Sequence, residues 1–289
     1  MTISPPALAN IYKVITYDYP YFIMYRLYEL VRFGFSSPLQ SRSISKNANI
    51  ILHGESLNSV TEFPDGDFLC CNQICTTSLY SSLKPKHYVL LDPQYYDRRM
   101  SKAGKPIREN TLIEINRSTN WDLSLYFPLE AKSEKLEEYF DNPHIDLKYF
   151  SKAPIPTSDF ISKVLFFKTT MMPPLFNVSI AVISMAVKLG YKNINIYGLD
   201  LTYYKYFFVD SNNKSYVKNS HFYEDEGSSP FMVASKALGG YVEGSSTTFF
   251  QRMYQSLYAH ELLAKLISQA DIQIINHSID SVVDVYKRK

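Results

Sequence analysis

Residues 177–204 read NVSIAVISMAVKLGYKNINIYGLDLTYY, and this stretch decides the fold class. From 178 to 189 the residues are almost all small or apolar, with Lys188 the only charge. A helix that is apolar on most sides belongs in a core. Gly190 supplies the stop that a helix C-terminus favours. Ile194 and Ile196 then alternate with Asn193, Asn195 and Tyr197, which is the period of a strand. The strand runs into Gly198-Leu199-Asp200, where the backbone turns and a carboxylate appears. In open α/β sheets ligands lie beyond the carboxyl ends of strands. Asp200, Thr202, Tyr203 and Tyr204 are therefore candidate site residues.

Upstream, 48–52 reads as the first strand of the sheet, followed at once by His53-Gly54-Glu55-Ser56-Leu57. A short apolar strand, a glycine turn and a serine suggest a nucleotide loop at a helix start, although one glycine cannot form a full phosphate cradle. Residues 68–71 form a second strand ending in Asn72-Gln73, and 87–91 a third ending in Asp92-Pro93. Asn72 is a candidate ligand or a cap for the next helix. Asp92 is a candidate catalytic or ligand-contacting residue, or a turn former. Residues 97–110 read as a polar, basic loop. Strands are expected at 112–115 and 123–127, a charged helix at 132–141, irregular chain at 142–159 and a further strand at 164–167. Asn177 and Ser179 open the central helix, where a cap and an anion site can coincide. Beyond 204 come a polar, Gly/Ser-rich segment, a long helix at 248–270 and a last strand at 272–275 ending in Asn276-His277-Ser278. The alternation of strands and helices favours one doubly wound, mostly parallel sheet.

Composition narrows the function. A chain of 289 residues, 46% hydrophobic, suffices for one large α/β domain, or a domain with a small lid. A net charge of +2 gives no general basic field for nucleic acid. The clustered Cys70, Cys71 and Cys75 have no second cluster to complete a zinc site and read as buried thiols in a reducing compartment. The 24 Tyr and 18 Phe read mainly as core and interface packing. The first residues lack the pattern of a signal peptide, and no stretch approaches a membrane span, so a cytoplasmic location is expected. Residues 19–35 read as an amphipathic aromatic helix, packed on the domain or a second subunit, with a membrane-surface role as the alternative.

Several of these motifs, in this order, resemble glycosyltransferase family 42, the Campylobacter-type sialyltransferases, and their relatives of the motility-accessory-factor type. The helix, Gly190-Tyr191-Lys192 turn, strand and Gly198-Leu199-Asp200 carry the resemblance first. Gly54, Ser56 and Leu57 match a Gly-Asn-Gly-Pro-Ser-Leu loop, with His53 and Glu55 in the Asn and Pro positions. Cys71-Asn72-Gln73, Asn219-Ser220-His221-Phe222 and Asn276-His277-Ser278 match further short runs. The arginine expected before the central helix is absent. The resemblance implies a Rossmann-like, GT-A-like domain at 48–289, with a flexible lid at about 205–247 and an N-terminal helical extension at 1–47. It implies an inverting transferase that uses a CMP-activated sialic, nonulosonic or Kdo-type sugar as donor and needs no metal. The acceptor would be a bacterial surface glycan or glycolipid, approached at the inner membrane face, with a homo-oligomer as a further option. Gly54, Ser56, Asn72, Asp92, Asn177, Ser179, Asp200, Asn276 and Ser278 would line the donor site. Tyr203 and Tyr204 would neutralise the leaving phosphate.

The acceptor hydroxyl needs a base near neutral pKa, which points to histidine. His221, within the lid, is the first choice. The family's histidine falls near Asp225, so Asp225 or Glu226 is the acidic alternative. His53 and His277 are weaker candidates, and His144 and His260 read as surface residues. Two other functions are carried forward: a pterin-type pyrophosphokinase-like enzyme, which would need a triphosphate cradle and metal, and a non-catalytic nucleotide-sugar-binding protein.

Overall fold

The structure, a computed structural model, describes residues 19–37, 39, 45–99, 104–218, 231–233 and 245–289. Its centre is an eight-stranded sheet in the order β11-β10-β6-β1-β2-β3-β4-β5, in which every pairing is parallel. The strands are β1 (Asn47–Ile51), β2 (Asp67–Cys71), β3 (His87–Val89), β4 (Leu123–Pro128), β5 (Ile145–Phe150), β6 (Asn193–Tyr197), β10 (Gln273–Asn276) and β11 (Lys287–Arg288). From β1 the chain winds outward through β2 to β5, then crosses to β6 on the other side. The strand order therefore reverses between β1 and β6, which is the topological switch point of an open α/β sheet.

Alternate residues of each strand feed different cores, because successive side chains point to opposite faces. Ile50 and Leu52, Leu69 and Cys71, and Val89 join one buried cluster, while Ile51, Cys70, Tyr88 and Leu90 join the other. Both faces are covered, as parallel sheets require, and β2 and β4 are apolar along most of their length, whereas Asn49, Lys148 and Asn195 interrupt β1, β5 and β6.

The central helix α5 (Val178–Lys188) is buried at every residue from Ser179 to Val187 and packs on β1, β2 and β3. Its burial follows from its composition, since no face of it carries a charge before Lys188. On the same face lie α1 (Tyr19–Phe33), α4 (Phe160–Lys168) and α6 (Ser246–Ile267). The opposite face carries α2 (Ser78–Leu83) and α3 (Gly104–Ser118). Helix α1 is held to the domain by buried Phe22 and Glu29, and Lys132 Nζ donates to its last carbonyl, Phe33 O, at 3.1 Å and to Phe35 O just beyond it at 2.8 Å.

Five local expectations are corrected, the first being the loop read at 97–110, of which 104–110 open helix α3. Residues 112–115 belong to α3, whose period buries Leu112 and Ile115 and exposes Ile113. Residues 164–167 belong to α4, started by Asp159, whose carboxylate accepts from Ser162 N at 2.8 Å. The irregular 142–159 contains β5, which pairs with β4 along its whole length. The charged helix is two short 3-10 turns, Leu129–Glu134 and Leu136–Tyr139, broken at Lys135 with φ +49°. Within the span read as a lid, β7 (Phe207–Val209), β8 (Ser215–Lys218) and β9 (Phe231–Val233) form a small antiparallel sheet. The β7–β8 turn is set by Asp210, whose carboxylate accepts from Asn212 N and Lys214 N at 2.9 and 2.8 Å.

Candidate functional site

The candidate binding residues map to one edge of the sheet. Gly54 and Ser56 follow β1, Asn72 follows β2, Asp92 follows β3, Asp200 follows β6, and Asn276 and Ser278 end β10. Helix α5 runs back into β6 through a tight turn, so its first residues, Asn177 and Ser179, lie at this same carboxyl edge. The fold thus places seven of the nine at or past strand ends on either side of the switch point, with Asn177 and Ser179 at a helix start on the same edge.

Two glycines let the central loops approach closely. The β1–β6 ladder continues as Leu52 N donates to Tyr197 O (2.9 Å) and Gly54 N to Gly198 O (3.0 Å). A Cβ at Gly54 would lie 2.5 Å from the Asp200 carboxyl carbon. Asp200 is 6% exposed, and its carboxylate accepts from Ser56 N at 2.9 Å and from the Ser56 hydroxyl. The first turn after β1 therefore gives its amide to a protein carboxylate. That arrangement is the opposite of a phosphate cradle, in which such amides stay free for the ligand.

The β10 end is tied into the same junction. Leu199 N donates to Ser278 Oγ at 2.7 Å, Ser278 N to Asn276 Oδ1 at 3.0 Å, and Val282 N to Asp200 O at 3.0 Å. Arg288 Nη1 adds bonds to Ser278 O and Ile279 O at 3.0 and 3.2 Å. His277 stacks on Tyr197, ring centres 4.6 Å apart, and its Nε2 meets Asn195 Oδ1 at 2.9 Å. Burial lowers its pKa. Ser56, Asp200, Asn276 and Ser278 thus form a rigid floor.

Asn72 differs from them. It sits at φ +51°, a region that asparagine tolerates better than most residues. Tyr88 enforces this turn, its hydroxyl donating to Asn72 O and accepting from Cys75 N, both at 2.8 Å. The Asn72 Oδ1 atom is buried without a hydrogen-bond partner. Strained backbone with an unmatched polar atom, held by its surroundings, is typical of ligand sites. Asp92 spends one oxygen on Gln94 N at 2.9 Å, capping the turn Pro93–Tyr95.

At α5, Asn177 caps the helix, with Oδ1 accepting from Ser179 N at 3.0 Å and from the Ser179 hydroxyl. Its Nδ2 is buried without a partner. Ser179 Oγ lies 3.0 Å from His260 Nε2, and His260 Nδ1 lies 3.0 Å from Tyr286 Oη. Since Asn177 Oδ1 can only accept, Ser179 donates to it and takes the His260 Nε2 proton, while Tyr286 donates to Nδ1. In this arrangement the imidazole cannot activate Ser179, and the chain of bonds serves to orient Asn177. His260 is fully buried, which corrects its reading as a surface residue, and burial pulls its pKa down to about 3. The spacing of Leu263 and Ile267, three and seven residues beyond His260 on α6, is the signal that would have placed it inside.

Tyr203 packs with Phe207 against Val217, Phe249 and Met253, where the small sheet meets the start of α6. Burial, and then the nearby Asp200 charge, push its pKa up to about 12, so its hydroxyl stays a donor at neutral pH. Tyr204 is exposed. His221, Asp225 and Glu226 lie outside the described residues. The three cysteines are free and buried, and burial raises each thiol pKa, that of Cys75 to about 12, so none is a ready nucleophile. Among the described residues, no three His, Cys, Asp or Glu side chains gather as a metal site.

No family model matches the chain, and no curated protein matches it significantly. Among solved structures it is similar to the apo form of an alpha-2,3-sialyltransferase from Campylobacter jejuni. That likeness has 15% identity and a TM-score of 0.34, over 88% of this chain and 83% of the other. At such similarity nothing about activity transfers from it. The parallel central sheet and its doubly wound order stand on this chain's own topology.

Proposed function

We propose that the protein is an inverting glycosyltransferase that moves sialic acid or a related acidic sugar from a CMP-activated donor to a bacterial surface glycan. The observation that carries this reading is the carboxyl edge at the β1–β6 switch point, and in particular Asn72, whose buried Oδ1 lacks a donor. A cytosine amino group or a ribose hydroxyl supplies such a donor. The resemblance of Cys71-Asn72-Gln73 and of the β6 motif to sialyltransferase sequences supports the same assignment. The pyrophosphokinase alternative loses ground because Ser56 N is committed to Asp200.

In this reading the acceptor hydroxyl attacks the anomeric carbon as the bond from that carbon to the phosphate oxygen breaks, and CMP leaves. His221, or else Asp225, takes the hydroxyl proton. The Tyr203 and Tyr204 hydroxyls and the Asn177 amide at the start of α5 would donate to the departing phosphate. Stabilisation by such donors is a large term in group transfer and needs no metal.

The test is turnover. Purified protein is incubated with CMP-linked acidic sugars and glycan acceptors, and CMP release is followed with and without EDTA. Turnover is expected to survive EDTA and to fall about a hundredfold in His221→Ala or Asp225→Asn, whichever is the base. Release of CMP that neither substitution affects removes both residues from the mechanism. Absence of turnover together with tight CMP binding leaves a nucleotide-sugar-binding protein.

A further inference from the structure

Helices α1 and α4 lie side by side and run the same way. Tyr19 Oη donates to Asp159 at 2.9 Å beside the start of α4, and seven residues later Arg26 shares a cavity with Phe167 and Lys168 near its end. Their buried sides join the core, yet their outer sides are apolar. Met24, Leu27 and Val31 are 71, 55 and 88% exposed on α1, and Phe160, Val164 and Phe167 are 80, 44 and 45% exposed on α4. These spacings of three and four residues make one stripe per helix. Exposed apolar stripes of this kind mark an interaction site.

The charges beside the stripes are of one sign. Arg26, Arg32, Lys163 and Lys168 are the cations of the two helices, and Glu29 is the only carboxylate within them. Glu29 is buried and occupied by Arg26 Nη1 (3.0 Å), Ser151 Oγ (2.5 Å) and Lys152 N (2.9 Å). Asp159, just before α4, is taken up by Tyr19, Thr157 and its capping bond. Between the helices opens a cavity of about 330 Å³ lined by Arg26, Lys168, Lys188, Ser36, Thr169 and Thr170. Lys188 Nζ donates to Phe166 O and to Thr169 O (3.0 Å), and its ammonium lies 4.0 Å from the centre of the Phe166 ring. Burial draws its pKa down to about 7, and an anion beside it would restore the charge.

We propose that the α1–α4 face docks on an anionic lipid bilayer, with the apolar stripes in the headgroup–acyl boundary and a lipid phosphate in the Arg26–Lys168–Lys188 cavity. Amphipathic helices with cations beside an apolar face bind bilayers in this way. Among the described residues no helix is long and apolar enough to cross a membrane, so the contact is with its surface. A second copy of the chain fits less well. A twofold contact sets a patch against itself, and among the described residues this patch has cations but no free carboxylate to receive them, whereas anionic lipid supplies the complement.

The experiment is co-sedimentation of the full chain with vesicles of phosphatidylcholine, alone or with one-third phosphatidylglycerol. Binding is expected to the anionic vesicles, little to the neutral ones, and to weaken with salt. Lys168→Glu is expected to weaken it about tenfold or more, as reversal of one surface charge implies. Val31→Asp, at a position too exposed to affect folding, should weaken it comparably, with near-ultraviolet dichroism unchanged. Vesicle binding that is absent, or indifferent to both substitutions, overturns the proposal. So does a dimer seen by light scattering that Val31→Asp dissociates, which would assign the face to a second copy. Glycerol phosphate binding that depends on Lys168, without vesicle binding, would also overturn it and assign the cavity to a soluble phosphate.

Discussion

Gly198→Ala is expected to destabilise the protein by about 3–4 kcal/mol, read as a fall in the urea midpoint. Two costs combine. Gly198 sits at φ +74°, where an alanine side chain costs about 1–2 kcal/mol. The added Cβ would also lie 2.5 Å from Leu52 O and 3.1 Å from Gly54 N. Both are backbone atoms of the β1 loop, whose Leu52 N and Gly54 N are bonded to Tyr197 O and Gly198 O, so they cannot swing aside as a flexible side chain would. Overpacking of this type costs about 1–3 kcal/mol. Gly190→Ala is the control, with φ +93° but nothing within 4 Å of the new Cβ. It should lose only the conformational part. If the two variants lose the same stability, the β1 and β6 loops do not meet as described. The same substitution at Gly198 should also abolish ligand binding, because the junction it opens is the floor of the site.

The second large effect is acid sensitivity between pH 7 and 5. Burial draws His87 down to about 4 and His260 to about 3, from an ordinary 6.5. His87 is enclosed by the Tyr126 and Tyr191 hydroxyls, both at 3.2 Å, and Tyr191 in turn donates to Asp67 at 2.8 Å. In the unfolded chain both histidines take a proton as the pH falls below about 6.5, whereas in the folded protein they remain neutral at pH 5. The unfolded state then binds more protons, and stability falls with pH. At pH 5 each histidine costs about 2 kcal/mol relative to pH 7, roughly 4 together, from 1.36 kcal/mol per unit over 1.5 units. The loss continues until the folded pKa values are reached. Asp97 and Asp159 are held below their ordinary 3.8, so they titrate beneath this window. Urea unfolding at pH 7 and pH 5 measures the difference, and His260→Asn should remove about half of it. Equal stability at the two pH values would mean that water or a counter-charge reaches both rings.

The parts of the fold with strong periodicity were legible in the sequence. Asn193–Tyr197 is a strand over its full expected length, and the apolar run before it is the central helix. Elements whose identity depends on partners were not. Residues 164–167, Val-Leu-Phe-Phe, have the composition of a buried strand but form part of a helix that exposes Val164 and Phe167. Strand β5, with a mixed pattern and an edge position, gave no local signal. For the site, the strand-end rule brought the candidate residues to one edge, but sequence could not say which polar atoms were already spent. Asp200 is a free carboxylate on paper and a partner of Ser56 in the fold. Asn72 and Tyr88, sixteen residues apart in sequence, form one turn only because β2 and β3 are neighbours. His260 looked exposed because its partners, Ser179 and Tyr286, come from other elements.

The most direct test of the proposed function is a calorimetric titration of the protein with CMP, with UMP, GDP and ATP as controls, each with and without EDTA. The expected result is selective CMP binding that survives EDTA and weakens about tenfold in Asn72→Ala, the loss of about one hydrogen bond at 1.4 kcal/mol. Metal-dependent ATP binding in preference to CMP, or no nucleotide binding at all, would contradict the assignment of the β1–β6 crevice as a CMP-sugar site.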